Sequence, residues 1–191
     1  MEEQLTSVQR IDLLLNSGSF REVGSLTSSV TYSDDATRIT SFVPSNNLIG
    51  TGEIGVAPLV KKVVVLGDDF TVRGGHADGS VWAKSLWAEA TALRLRIPMV
   101  RLLDGSSGGG SVKSYLEMGR TYVPPLTGFH TMVELLATVP VAAALLGPVV
   151  GLAAIKATVS HFAVMVDGNS QLFSAGPPIG SSLHLHSCTG S

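Results

Sequence analysis

Residues 97–111 read Ile-Pro-Met-Val-Arg-Leu-Leu-Asp-Gly-Ser-Ser-Gly-Gly-Gly-Ser, and this stretch decides the fold. The segment from Met99 to Leu103 is apolar except for Arg101 and has the length of a buried strand, and Pro98 disfavours helix just before it. Four glycines follow within residues 105–110, which we call the glycine cluster. A flexible linker is one interpretation, but linkers seldom begin directly at the end of a buried strand. The stretch therefore favours a strand whose glycines let the backbone approach a ligand closely.

The segments on both sides of this strand alternate between strand and helix patterns. Before it, Val63–Leu66 and Phe70–Val72 predict two strands joined by a turn at Asp68-Asp69, and residues 81–95 predict a helix. After it, two further helix–strand pairs are predicted, over residues 129–137, 139–146, 151–160 and 161–166. Alternation of this kind, with near-continuously apolar strands, is typical of an α/β fold with a buried sheet in a single domain.

The two ends of the chain have different patterns. Apolar residues at helical spacing predict an amphipathic helix within residues 1–24. Residues 25–47 are rich in Ser, Thr, Asp and Asn and predict a loop-rich arm. The main domain is expected to span residues 48–180, and residues 181–191 form an unpatterned tail. His184, His186 and Cys188 alternate in that tail without a fourth ligand or a rigid support, so no metal is expected.

Charge, hydropathy and the N-terminal sequence argue against a nucleic-acid partner, a membrane span and a targeting peptide. The 191 residues include 13 basic and 15 acidic side chains without a basic run, so nucleic acid is not an expected partner. The uncharged stretch from Val139 to Ile155 is interrupted at Gly147-Pro148, so we interpret it as core rather than as a membrane span. The N-terminus lacks the features of a targeting peptide, and a single cysteine fits a reducing compartment.

Several large side chains are interpreted as structural. The predicted helix over residues 81–95 has an apolar face formed by Trp82, Leu86, Ala90 and Leu93. The aromatic side chains assigned to the core are Trp82, Trp87 and Phe129. His161 begins an apolar strand, and we interpret it as a hydrogen-bonded core histidine rather than as a ligand. We therefore predict no catalytic or ligand-binding role for these residues.

The glycine cluster is compatible with more than one chemistry. A phosphate-binding loop needs a glycine directly before its lysine, but Val112 precedes Lys113, and a dinucleotide fingerprint needs a glycine in place of Lys113. Both of these interpretations fail on the residues present. Another possibility is an oxyanion hole, in which successive glycine amides point at one developing negative charge.

A serine hydrolase is the alternative enzyme. Residues 105–109 match the pattern G-x-S-x-G, which makes Ser107 a candidate nucleophile. Asp167 and either His184 or His186 stand in the required chain order, although nothing in the tail pattern positions those histidines. The pattern alone is weak, and the alternative stays open at this point.

Five motifs together resemble the carboxyltransferase (beta) subunits of biotin-dependent acyl-CoA carboxylases of the propionyl-CoA and methylcrotonoyl-CoA type. They are similar in order and spacing, and they lie at residues 49–52, 68–75, 97–104, 107–110 and 174–178. The opening residues 9–24 are also similar, so the resemblance runs from Gln9 to Pro178. One such motif is weak evidence, whereas five in register are strong.

The resemblance implies a crotonase-like fold of stacked β-β-α units and a defined reaction. A carboxyl group moves from carboxybiotin to the α-carbon, or to the vinylogous γ-carbon, of an acyl-CoA. Loss of the substrate proton, which the released biotin takes in this family, places charge on the thioester oxygen. Two preorganised amides can each lower that barrier by about 3 to 4 kcal/mol. Biotin is carried by a separate protein or domain, and the implied partners are a biotin carboxylase or biotin carrier subunit and further copies of the chain.

The resemblance also implies three groups of site residues. The oxyanion hole corresponds to Gly108, Gly109 and Gly110. The coenzyme A path corresponds to Arg73, Gly74, Gly75 and Lys84, where Lys84 is a candidate phosphate ligand or, alternatively, a solvated lysine of the helix face. The biotin side corresponds to a turn at Gly147, Pro148 and Gly151. Many relatives have a glycine pair where this chain has Gly151-Leu152.

Family members continue after the last motif into a second crotonase-like domain, which this sequence does not include. Their active sites form between the N-terminal domain of one subunit and the C-terminal domain of another. The expectation is therefore a half-site in a truncated product. A fragment that binds other subunits without catalysis is the non-enzymatic alternative. By the resemblance, the location is the mitochondrial matrix or the bacterial cytoplasm.

Overall fold

The structure is a computed structural model that describes residues 5–76, 82–106, 112–119 and 128–174. The helices in this part of the chain are α1 (Ser7–Leu14), α2 (Trp82–Leu95), α3 (Val112–Met118), α4 (Phe129–Thr138) and α5 (Leu152–Thr158). The strands are β1 (Arg21–Glu22), β2 (Ser28–Tyr32), β3 (Ile39–Pro44), β4 (Asn47–Ile54), β5 (Lys61–Asp68), β6 (Met99–Gly105), β7 (Val141–Val150), β8 (Phe162–Met165) and β9 (Gln171–Phe173).

A mixed sheet organises the chain. Its strand order is β1-β4-β5-β6-β7-β8, and β9 pairs with the far end of β7. Strands β5 to β8 run parallel, while β4 is antiparallel to β5, so that Asn47 pairs with Asp68. The first residue of β4 therefore lies beside the last residues of β5 and β6. We call this side of the sheet the carboxyl edge.

Both faces of strands β5 and β6 are covered, which explains their near-continuous apolar sequences, whereas the side chains of β8 are exposed. In β5, Val64 and Leu66 pack toward α2 and α4, whereas Val63 and Val65 pack toward α1. A separate cluster around Leu103 packs against α5. The predicted α/β class is confirmed, because strands buried on both faces lose the alternation of a half-exposed sheet. No helix among the described residues is long and apolar enough to cross a membrane.

The predicted strand over Phe70–Val72 is wrong. These residues form a turn, in which Asp69 Oδ1 accepts hydrogen bonds from the Thr71 amide (2.9 Å) and the Thr71 hydroxyl (2.6 Å). An aspartate that bonds the backbone two residues later stabilises a turn against a strand. Asp68 is the last residue of β5, so the turn predicted at Asp68-Asp69 begins one residue later than expected and runs into the 3-10 turn Arg73–Gly75.

The predicted turn at Gly147-Pro148 is also wrong. Strand β7 continues through both residues to Val150, and its register with β9 includes Pro148. A side chain at Gly147 would collide with the carboxylate of Asp104. The glycine is required by packing within the strand, and its presence does not mark a chain reversal.

Residues 25–47 contain more structure than the predicted loop-rich arm. Strands β2 and β3 pair antiparallel as a separate two-stranded sheet, with Val30 opposite Phe42. Most of its side chains are exposed, so the sequence has no apolar periodicity that could reveal the pairing.

The core assignments are partly corrected. Helix α2 buries Lys84, Ala88, Glu89, Thr91 and Ala92, whereas Ala90 is exposed, so the buried face differs from the predicted one. Phe129 is half exposed rather than part of the core, while Trp87 packs against the main cluster. His161 Nδ1 accepts a hydrogen bond from the Val141 amide at 3.1 Å, as expected of a satisfied histidine, but the residue is exposed.

Candidate functional site

Buried polar side chains gather at the carboxyl edge. Asn47 Nδ2 donates to Asp68 Oδ1 at 2.9 Å, and the Asp104 amide donates to Asp68 Oδ2 at 3.3 Å. Arg10 Nη1 of helix α1 donates to Asp104 Oδ2 at 2.7 Å. Burial raises the pKa of Asp104, and the hydrogen bond and charge of Arg10 oppose that rise. The ends of β5 and β6 are therefore joined by charge-assisted hydrogen bonds.

The Arg73–Gly75 turn lies directly against the end of β6. Its three residues have φ values of 55°, 61° and 67° in succession, in the left-handed region that glycine tolerates best. A side chain at Gly75 would collide with the Asp104 carbonyl oxygen, and one at Gly105 would lie 2.7 Å from the Gly74 carbonyl oxygen. The segment predicted for coenzyme A thus contacts the start of the glycine cluster.

A histidine–serine contact, which the sequence did not suggest, connects the same two segments. His76 Nδ1 lies 2.8 Å from the buried Ser106 Oγ, and Asn46 Nδ2 donates to the His76 carbonyl oxygen at 2.8 Å. The Ala153 amide of α5 donates to the Ser106 carbonyl oxygen at 3.1 Å. The only available signal was that His76 directly follows the glycine pair of the turn.

The predicted oxyanion-hole glycines, Gly108, Gly109 and Gly110, lie outside the described residues, and so does Ser107. Their roles stay predictions. The same holds for His184, His186 and Cys188. Within the described part of the chain, no group of three or more His, Cys, Asp or Glu side chains is placed to hold a metal ion.

Lys84 is not a solvated lysine. It is only 7% exposed, and its Nζ donates to the Asn47 carbonyl oxygen at 2.6 Å. Burial lowers the pKa of Lys84, while the charge of Glu22 opposes that change. Its ammonium group therefore ties α2 to the start of β4, and a contact with a coenzyme A phosphate would require it to exchange this partner.

A second group of buried charges lies between α2, β6 and α5. Arg101 Nη2 donates to Glu89 Oε1 at 3.1 Å, and Lys156 Nζ lies 3.2 Å from the same oxygen. Arg101 Nη1 also donates to the Lys156 carbonyl oxygen at 3.2 Å. Burial lowers the pKa of Arg101, and Glu89 opposes the change. Two cations share one carboxylate in this cluster.

The residues predicted for the biotin side do not all face the same way. The Cα of Gly147 faces Asp104 in the interior, whereas Pro148 is exposed. Gly151 begins α5 with φ 62°, and a side chain added there would meet no atom within 4 Å. Pro148 and Gly151 are therefore accessible from the surface, whereas Asp104 fills the space beside Gly147.

Two open clefts lie away from these residues. They measure about 450 and 500 Å³ and share Asn16, Ser17, Gly18 and Arg21 in their walls. Lys62, at the beginning of β5, lines one of them. None of the predicted site residues lines either cleft, so we place the site at the carboxyl edge instead.

The fold of the chain is that of the crotonase-like carboxyltransferases. Residues 2–187 match the family model described as carboxyl transferase domain, and the chain therefore belongs to the carboxyl transferase family. Both the predicted family and the predicted crotonase-like fold are confirmed, and the serine hydrolase alternative gains no support.

Curated relatives include two carboxylase beta chains. The chain is 28% identical over 176 residues to the propionyl-CoA carboxylase beta chain of Saccharopolyspora erythraea, covering 91% of this chain and 30% of the relative. It is 29% identical over 180 residues to the mitochondrial methylcrotonoyl-CoA carboxylase beta chain of Arabidopsis thaliana, covering 90% and 27%. The chain thus spans less than a third of the length of these relatives.

Solved structures of related enzymes also match this chain in fold, again over about a third of their length. A transcarboxylase 12S, solved with methylmalonyl-coenzyme A and methylmalonic acid bound, matches with a TM-score of 0.70 at 25% identity, covering 95% of this chain and 33% of that chain. The beta subunit of geranyl-CoA carboxylase from P. aeruginosa matches in fold with a TM-score of 0.62 at 23% identity, covering 92% and 31%.

Proposed function

We propose that this chain supplies the acyl-CoA side of a carboxyl-transfer site in a biotin-dependent acyl-CoA carboxylase. The observation that carries the proposal is the direct packing of the Arg73–Gly75 turn on the Asp104–Gly105 strand end. The first segment corresponds to the coenzyme A path and the second leads into the glycines that correspond to the oxyanion hole. Membership of the carboxyl transferase family supports the reaction class.

In this proposal the chain binds the acyl-CoA and stabilises the charge that forms on it. Arg73, Gly74 and Gly75 contact coenzyme A, and we omit Lys84 because its ammonium group is bonded to Asn47. The amides of Gly108 to Gly110 donate to the thioester oxygen, which becomes negative when the acyl group loses its proton. Loss of one such donor costs about 3 kcal/mol of transition-state stabilisation in other enzymes.

Biotin would approach from the surface at Pro148 and Gly151, because Pro148 is exposed and a side chain added at Gly151 would meet no atom within 4 Å. When bound, carboxybiotin supplies the carboxyl group that is transferred. The biotin is carried by a separate protein, so the proposed partners are a biotin carboxylase or biotin carrier subunit and further carboxyltransferase subunits. The other half of the site would come from such a subunit, in the mitochondrial matrix or the bacterial cytoplasm.

Isothermal titration with acetyl-, propionyl- and methylcrotonoyl-CoA tests the acyl-CoA part of the proposal. We expect saturable binding, and we expect Arg73→Ala to weaken it about tenfold by removing a cation beside the phosphates. Arg94→Ala is the matched control, because Arg94 is exposed in the last turn of α2, near the opposite end of β6. Absence of binding by the unaltered chain, together with co-purification with a carboxylase complex, would instead support the non-catalytic alternative.

A further inference from the structure

Asp104 is held at its side chain by the N-terminal helix. Arg10 Nη1 donates to Asp104 Oδ2 at 2.7 Å, and the two side chains are only 9% and 0% exposed. Taking both charges out of water costs several kcal/mol, so a pair of this kind contributes little net stability compared with an apolar pair of the same shape. A better explanation of the pair is that it fixes the position of Asp104.

The backbone of Asp104 is held from the neighbouring strand. Its amide donates to Asp68 Oδ2 at 3.3 Å, and Asp68 is itself fixed by Asn47 Nδ2 at 2.9 Å. Ser7 Oγ of helix α1 donates to the Asp68 carbonyl oxygen at 2.6 Å. Helix α1 therefore contacts the ends of both β5 and β6, through Ser7 and Arg10.

Two glycines from other elements pack directly against Asp104. A side chain at Gly75 would collide with the Asp104 carbonyl oxygen, and a side chain at Gly147 would collide with its carboxylate. Gly75 belongs to the proposed coenzyme A turn, and Gly147 lies one residue before the exposed Pro148. The turn and β7 thus both meet the end of β6 at Asp104, the turn at its backbone and β7 at its carboxylate.

We propose that Asp104 is a positioning residue, fixed by Arg10, which sets the direction in which the chain leaves β6 and enters the glycine cluster. The proposal deepens the proposed function, because the catalytic consequence rests on the oxyanion role of Gly108 to Gly110. The turn has further supports of its own, since Asn46 Nδ2 also bonds the Val72 and His76 carbonyl oxygens. Loss of the Arg10–Asp104 pair should therefore disturb the glycine cluster more than coenzyme A binding.

Residue-resolved amide exchange measured by NMR tests the positioning role without any substrate. We expect Arg10→Met to speed exchange at the Asp104 and Gly105 amides about tenfold, because the strand end opens locally. Exchange at Val64 and Met99, whose amides bond the Pro98 and Pro140 carbonyl oxygens at the other end of the sheet, should change less than about twofold.

Three further variants keep the test decisive. Arg10→Lys retains the charge and should restore part of the protection, since lysine can make the single bond but lacks the rigid fork. The double change Arg10→Met with Asp104→Asn removes both charges, so it keeps the fold even if the single variant unfolds. Arg21→Met is the control, because Arg21 is exposed and bonds only the nearby Gly18 and Phe20 carbonyl oxygens.

Transfer kinetics supply the second readout. With the other half of the site supplied by a partner subunit, methylmalonyl-CoA as donor and free biotin as acceptor, we expect the double variant to lower kcat about tenfold while KM changes less than about twofold. Equal exchange rates at Asp104 in the double variant and the unaltered chain would overturn the positioning role. Failure of the unaltered chain to bind acyl-CoA would count against the proposed function, and the exchange experiment would still decide the role of Asp104.

Discussion

Lys84 Nζ donates a hydrogen bond to the carbonyl oxygen of Asn47 over 2.6 Å, and this bond joins helix α2 to the first residue of β4. Because burial lowers the pKa of Lys84 below 10.5, the folded state releases its proton at a lower pH than the unfolded state does. The stability of the unaltered chain relative to Lys84→Met should therefore rise as the pH increases toward 10.5. Urea unfolding of both proteins over a pH series measures the difference, and a difference that falls with pH contradicts the prediction.

Lys84→Met also distinguishes a structural role of Lys84 from binding of a coenzyme A phosphate. Because the ammonium group is occupied by Asn47, we expect Lys84→Met to change acyl-CoA affinity less than about twofold. Isothermal titration gives the affinity. A loss of about tenfold would instead assign Lys84 to a coenzyme A phosphate.

Removal of the Glu89 charge should strongly lower the free energy of unfolding. Glu89→Gln leaves Arg101 and Lys156 buried without their shared carboxylate, and breaking a buried pair in this way typically costs about 3 to 5 kcal/mol. The matched control is Glu134→Gln, because Glu134 is 56% exposed and lies 3.9 Å from an exposed histidine. Urea unfolding should show the loss for Glu89→Gln and almost none for Glu134→Gln.

Gly147→Ala tests the packing of β7 on Asp104. The added methyl group would collide with the carboxylate, so we expect a loss of about 1 to 3 kcal/mol in the free energy of unfolding. Gly67→Ala is the control within another strand, because a side chain there would make ordinary contacts, the nearest 3.5 Å from Ile11 Cδ1. Similar unfolding midpoints for the two variants would show that β7 can move away from Asp104.

The oxyanion hypothesis makes a prediction for the glycine cluster itself. In a full-length protein, Gly109→Pro removes an amide donor and fixes φ, so transfer should be lost while most of the coenzyme A affinity remains. Ser107→Ala should retain substantial transfer, because the serine forms no bond to the substrate in this mechanism. A folded Ser107→Ala protein that binds acyl-CoA but shows no transfer would count against the carboxyltransferase mechanism. Labelling of Ser107 by a fluorophosphonate probe would favour the hydrolase.

Strands β5 to β8 could be predicted because local patterns specify them. Apolar runs with β-branched residues identify strands whatever their partners; β5 and β6 are buried on both faces, although the equally apolar β8 is exposed. Strand β4 was recognised only as a motif, because Gly50 and Gly52 weaken its strand signal. These glycines are required by distant neighbours, since side chains there would collide with the backbone of Arg21 and the side chain of Leu15.

The polar network could not be predicted for a related reason. Arg10 and Asp104 are 94 positions apart, and Glu89 and Lys156 belong to different helices. A charged residue within an apolar pattern indicates burial, but its partner depends on tertiary packing. At Pro148 the local pattern predicted the wrong element. A proline in a glycine-proline pair usually indicates a turn, whereas here it lies within β7.

The ion pair between Arg10 and Asp104 also restricts the order in which the chain can fold. Helix α1 is synthesised before β5 and β6, but its eight residues are too few to be stable alone in water. It can contact β5 through Ser7 and Ile11 as soon as that strand is available. Its bond to β6 requires Asp104, which lies 94 positions after Arg10, so this last anchor of the helix can be made only late in synthesis.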